Sequence, residues 1–159
     1  MNRIRKSSLF VLFALFALFT LSAVMVSAEP ANATVTITEA QINNSFRVNN
    51  PAYRRVSNVQ VNLVPGQAVV SATITIRAPR GQTTTSFQTV SSWIPSIVNG
   101  HINWTMSSAT ANGTPASSQL VGQINAAIGA SWRAYWRSQH PGHATAITID
   151  DNQVIITYN

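Results

Sequence analysis

The sequence predicts an α+β domain. It would be an antiparallel, curved sheet of about six strands with a short N-terminal helix and one long amphipathic helix, in the order α-β-β-β-β-α-β-β. Three observations carry this prediction. Short runs alternate apolar and polar residues between tight turn signals, as half-buried strands do. One late stretch repeats its apolar residues at helical spacing. A capping signature stands at the start of the first helix.

The chain has 159 residues, and its opening is read separately. Arg3, Arg5 and Lys6 precede an apolar run from Leu9 to Leu21, and the segment ends in the small residues Val26, Ser27 and Ala28. That order is a secretory signal peptide, residues 1–28, with cleavage after Ala28. The apolar stretch Leu9 to Val26 is also long enough to act as an uncleaved anchor. Both readings place residues 29–159 outside the cytoplasm. The domain organisation is then 1–28 leader, 29–36 tether or entry strand, and 37–159 a single domain.

Removing the leader changes the composition. The whole chain carries a net charge of +6, but three of its basic residues belong to the leader. The remainder holds seven Arg and no Lys against Glu29, Glu39, Asp150 and Asp151. That mild basic bias suits either an anionic surface, such as a membrane surface, or a solvated face with no specific partner, and no dense basic cluster exists to argue for nucleic acid. The chain has no Cys, so disulfides, thiol chemistry and cysteine metal sites are excluded. Asn32, Asn43, Asn103 and Asn112 open N-x-Ser/Thr sequons, a number close to chance for this composition.

Element by element, Thr38 and Gln41 form a capping box, with Glu39 in the positive first turn and Ile37 and Ile42 as a hydrophobic staple. Asn49-Asn50-Pro51 ends this helix. Val59, Val61 and Leu63 alternate into a Pro65-Gly66 turn, and Val70, Ala72, Ile74 and Ile76 return. A second turn is read at Ala78-Pro79-Arg80-Gly81. Thr83 to Val90 is a third strand. Trp93, Ile94, Ile97 and Val98 lead into Asn99-Gly100, a strong hairpin signal, and Ile102, Trp104 and Met106 alternate beyond it. Asn112-Gly113 turns the chain again. The long helix is expected over residues 115–139, capped by Thr114 with Pro115 in its first position. Leu120, Val121, Ile124, Ile128, Trp132, Tyr135 and Trp136 form its apolar stripe. His140-Pro141-Gly142 stops it, and a hairpin turning at Asp150-Asp151-Asn152 closes the chain.

Catalytic groups are scarce. Glu39 is accounted for by the helix start, and Asp150 and Asp151 by a turn. His140 and His143 have a metal-ligand spacing, but Pro141 and Gly142 break the turn that would bring them together. No Gly-x-Ser-x-Gly elbow occurs. The expectation is a protein that is not an enzyme, with no catalytic residue, no metal and no cofactor.

The segment Thr36 to Ser45, followed by hairpins, a long late helix and a closing hairpin, resembles small bacterial TULIP-like (tubular lipid-binding) proteins. Their first helix often opens Thr/Ser-Glu-x-x-Leu/Ile-Asn, matched here by Thr38 to Asn43. The resemblance implies an apolar groove for an acyl chain and no catalysis. The function expected is therefore an extracytoplasmic, non-catalytic binding protein for a lipid or other apolar molecule, held in a groove between sheet and long helix. The candidate ligand-binding residues are Ile102, Trp104 and Met106 on the strand and Ile124, Ile128, Trp132 and Trp136 on the helix. Arg133 and Arg137 would form a headgroup rim. The alternative is a cell-envelope interaction module with a closed core, binding protein or glycan through exposed aromatics.

Overall fold

The structure is a computed structural model that describes residues 33–50, 53–77, 84–139 and 142–159. The leader, the first part of the tether, Pro51, the Ala78–Gly81 turn and the His140-Pro141 stop lie outside the described residues. Among the described residues no helix is long and apolar enough to cross a membrane.

The domain is α+β, with two antiparallel sheets. The entry strand β1 (Ala33–Thr38) leads directly into α1 (Glu39–Ser45). The capping box is present in full, with Thr38 accepting from the Gln41 amide and Gln41 accepting from the Thr38 amide. Ile37 and Ile42 are both buried, as a staple requires.

Strands β2 (Arg54–Val64), β3 (Gln67–Ile76), β4 (Thr85–Val98), β5 (His101–Ala111) and the two-residue β6 (Thr114–Pro115) form one sheet in that spatial order. Residues 114 and 115 thus correct the expected helix start. The Asn112-Gly113 turn has positive φ at both residues and folds the chain back on β5, pairing Ala111 with Thr114. The helix begins only after Ser117, whose hydroxyl accepts from the Leu120 amide. Pro115 is tolerated because its missing N–H lies on an edge strand.

The second sheet has the order β1-β8-β7, with β7 (Ala144–Asp150) and β8 (Gln153–Tyr158) as the closing hairpin. A single sheet was expected. The closing hairpin instead takes β1 as its third strand, and β7 runs past the ends of the other sheet's hairpins. The Ala144 amide donates to Gly100 at the β4–β5 turn, and the Gly66 amide at the β2–β3 turn donates to Ile149. The backbone groups of β7 that face away from β8 are thereby partly satisfied.

The long helix changes its winding part-way. It comprises α2 (Ser118–Ile124), a π-helical turn (Asn125–Gly129) and α3 (Ala130–Gln139), without a break between them. Gly129 packs against the Trp93 side chain of β4. A Cβ there would run into the Trp93 ring and the Asn125 side chain. The widened turn also presents the Ala126 carbonyl to the buried Arg54, whose Nη2 lies 3.5 Å away.

One core joins both sheets and all the helical segments. Its centre is aromatic. Trp104 meets Trp132 at 5.1 Å and Trp136 at 5.2 Å between ring centroids, and Phe46 stands edge-on to Trp132 at 5.0 Å. Such pairs add about 0.5–1.5 kcal/mol each beyond area burial.

Candidate functional site

The strand alternation places Ile102, Trp104 and Met106 on the inner face of β5, and the helical repeat places Ile124, Ile128, Trp132 and Trp136 opposite them. The structure brings these seven residues together and closes the space between them. Trp104 is 2% exposed, Trp136 1%, and Ile124, Ile128 and Trp132 are fully buried. Ile102 and Met106 are half-buried against the same core. The helix–sheet interface is thus packed with rings at van der Waals distance.

Open space lies beside this interface. The end of the β4–β5 hairpin (Val98, His101, Ile102, Asn103) and the helix (Arg133, Arg137) enclose a surface cleft of about 550 Å³. A second depression of about 350 Å³ continues from Asn103 and Arg133 to Thr105, Met106 and Asn125. The two share Asn103 and Arg133, so together they form one trough between β5 and the helix. Val98 is 51% exposed and contributes an apolar floor. No carboxylate is among the described residues that line it.

Local structure sets the cationic wall. Arg133 and Arg137 are four residues apart on α3 and so share a face. The Arg133 Nη1 donates to Asn125 Oδ1 at 3.1 Å. Asn125 opens the π turn, so the same irregularity that fits Gly129 against Trp93 also holds this guanidinium at the trough. At the hairpin end, His101 stacks on His143 with ring centroids 6.2 Å apart. His143 in turn covers Gly100, where φ is +76° and a side chain would meet the imidazole. His140, the other half of the proposed metal spacing, is outside the described residues.

Sequence reasoning named the Arg133–Arg137 rim but missed Val98, His101, Asn103 and Asn125. The Asn99-Gly100 turn signal already put Val98 and His101 at a hairpin end. Nothing in the sequence placed that end beside the helix.

A polar cleft of about 500 Å³ lies between α1 and β2. Its groups are occupied. Asn43 donates to the Val61 carbonyl and accepts from the Val61 amide, both at 2.8 Å, and Glu39 accepts from the Leu63 amide at 2.8 Å.

Comparison with protein-family models, with curated proteins and with solved structures found no match.

Proposed function

We propose that this is a non-catalytic extracytoplasmic binding module whose ligand docks in the surface trough between β5 and the long helix, over a closed core. The observation that carries this reading is the pairing of a filled Trp104–Trp132–Trp136 interior with an open, Arg-walled trough beside it. An apolar floor with two guanidiniums, and no carboxylate among the described lining residues, favours a ligand that is apolar in part and anionic in part.

A lipid ligand is the second reading, and the exposed Val98 next to Arg133 and Arg137 favours it. A fatty carboxylate or anionic headgroup would meet the two Arg while the chain lies on Val98 and Ile102. It would then bind at the surface, outside the sheet–helix interface.

Native mass spectrometry of the exported protein, followed by NMR titration with decanoate and with acidic peptides, tests both. Shifts concentrated at Val98, Ile102, Arg133 and Arg137 are expected. If every probe leaves those four unchanged, the reading is wrong. Shifts led instead by the indole signals of Trp132 and Trp136 would put the ligand inside the core.

A further inference from the structure

The trough runs along a strand edge that nothing in the described structure pairs. β5 has β4 on one side, and on the other side β6 reaches only Thr110 and Ala111. From His101 to Met106 the residues of β5 line the trough, and no described strand pairs the outer edge as far as Ser108. The direction of its backbone groups follows from the hairpin. Asn99 and Gly100 have φ of +52° and +76°, a two-residue turn whose flanking pair, Val98 and His101, is hydrogen-bonded. Alternation then turns the N–H and C=O of His101, Asn103 and Thr105 toward β4. Those of Ile102, Trp104 and Met106 turn outward, into the trough. These are the residues whose side chains fill the core.

Other edges are treated differently. The outer edge of β2 is capped by side chains: Asn50 on Val56, Asn43 on Val61 and Glu39 on Leu63. β7 uses its outer edge to hold two hairpin turns. Along β5 the Arg133 and Arg137 side chains, from the helix that packs on its inner face, border the trough. An open strand edge beside a groove is the arrangement that accepts an added strand.

We infer that the trough binds an extended acidic peptide segment, which adds to the β5 edge as a further strand and places its carboxylates against Arg133 and Arg137. The backbone of Ile102, Trp104 and Met106 supplies affinity independent of the added sequence. The two guanidiniums select carboxylates, and Val98 and Ile102 give an apolar floor at the hairpin end. This inference rests on the binding-module reading and narrows its ligand to a peptide. Charge complementarity decides the class of occupant, because the described lining holds two cations and no acid.

The test uses the exported protein and a capped peptide of alternating valine and aspartate, as long as the edge from His101 to Ser108. Controls are the same peptide with lysine for aspartate and two N-methylated forms, one blocking each alternate set of backbone N–H groups. Saturable binding is expected, with slowed amide exchange at Ile102, Trp104 and Met106. One N-methylated form should lose binding about tenfold or more while the other keeps it. Arg133→Glu with Arg137→Glu should weaken the aspartate peptide by about tenfold or more and reverse the preference toward the lysine peptide.

Equal binding of both N-methylated forms, or of the lysine peptide by the unaltered protein, overturns strand addition. If decanoate shifts the trough and the peptides do not, the inference fails while the binding-module reading stands. If neither does, both fail. Concentration-dependent protection of the three amides without peptide would assign the edge to a second copy of the chain and overturn the inference.

Discussion

Gly129 shows how one residue shapes the site. Its missing Cβ lets Trp93 lie against the helix, with the Trp93 indole donating to Ser91 Oγ at 2.9 Å. Gly129→Ala should cost about 1–3 kcal/mol through overpacking, seen as a lower urea midpoint at unchanged slope. Because Asn125 is the other group in the way, the Arg133 side-chain signal should shift too. Tyr158 carries a pH dependence. Burial raises its phenol above the usual tyrosine value. Above about pH 10 the unfolded chain gives up this proton while the folded chain keeps it, so stability falls as pH rises through that range. Below it the residue contributes no pH dependence. Urea midpoints on either side of about pH 10 should diverge less in Tyr158→Phe than in the natural protein.

At the scale of elements, strand edges explain residues that the sequence alone leaves as helix or turn punctuation. Asn50 reads as a helix terminator and Asn43 as one more polar residue of α1. In the fold both lay a carboxamide on β2 as a substitute strand, with Asn50 Oδ1 2.6 Å from the Val56 amide. Asn43→Ala or Asn50→Ala leaves two backbone groups of β2 without that partner. Each should cost about 1–3 kcal/mol, and the exposed edge should promote self-association, measurable by sedimentation. Pro95 is the converse case. It sits inside β4 opposite Trp104, but β3 pairs with β4 only as far as Trp93. Its missing N–H faces no strand, so a long β4 survives a proline.

For the whole molecule, closure of the core is the central consequence. Trp132 is fully buried against Phe46, Trp104 and Trp136. Trp132→Ala should cost about 3–5 kcal/mol as a large-to-small core change. It should leave binding at the trough unchanged in the folded fraction, whereas a ligand held inside would lose affinity in proportion. The described acids Glu39, Asp150 and Asp151 belong to α1, the end of β7 and the β7–β8 turn, where the Glu39 amide donates to Asn152 and the Asn152 amide to Leu63. Arg133 and Arg137 belong to the trough at the β4–β5 end. Anion binding there should therefore weaken as salt rises. An intact mass beginning at Glu29 would establish cleavage of the leader, and a mass that includes it would establish a retained anchor.

Local chemistry was enough to determine the α+β class, the capping box at Thr38, the Pro65-Gly66, Asn99-Gly100 and Asn112-Gly113 turns, and the apolar stripe of the long helix. Each depends on residues a few positions apart: a cap on its own turn, a hairpin on two residues that tolerate positive φ, a helix face on a repeat of three and four. The sequence also determined which side chains of β5 and the helix meet. Tertiary structure decided what that meeting produces. Whether two apolar faces enclose a void or interlock depends on ring shapes and interaxial distance, and four tryptophans with one glycine filled the gap. It likewise decided that the closing hairpin recruits β1 into a second sheet, and that two arginines border the unpaired edge of β5. These are contacts between distant parts of the chain, and no local pattern encodes them.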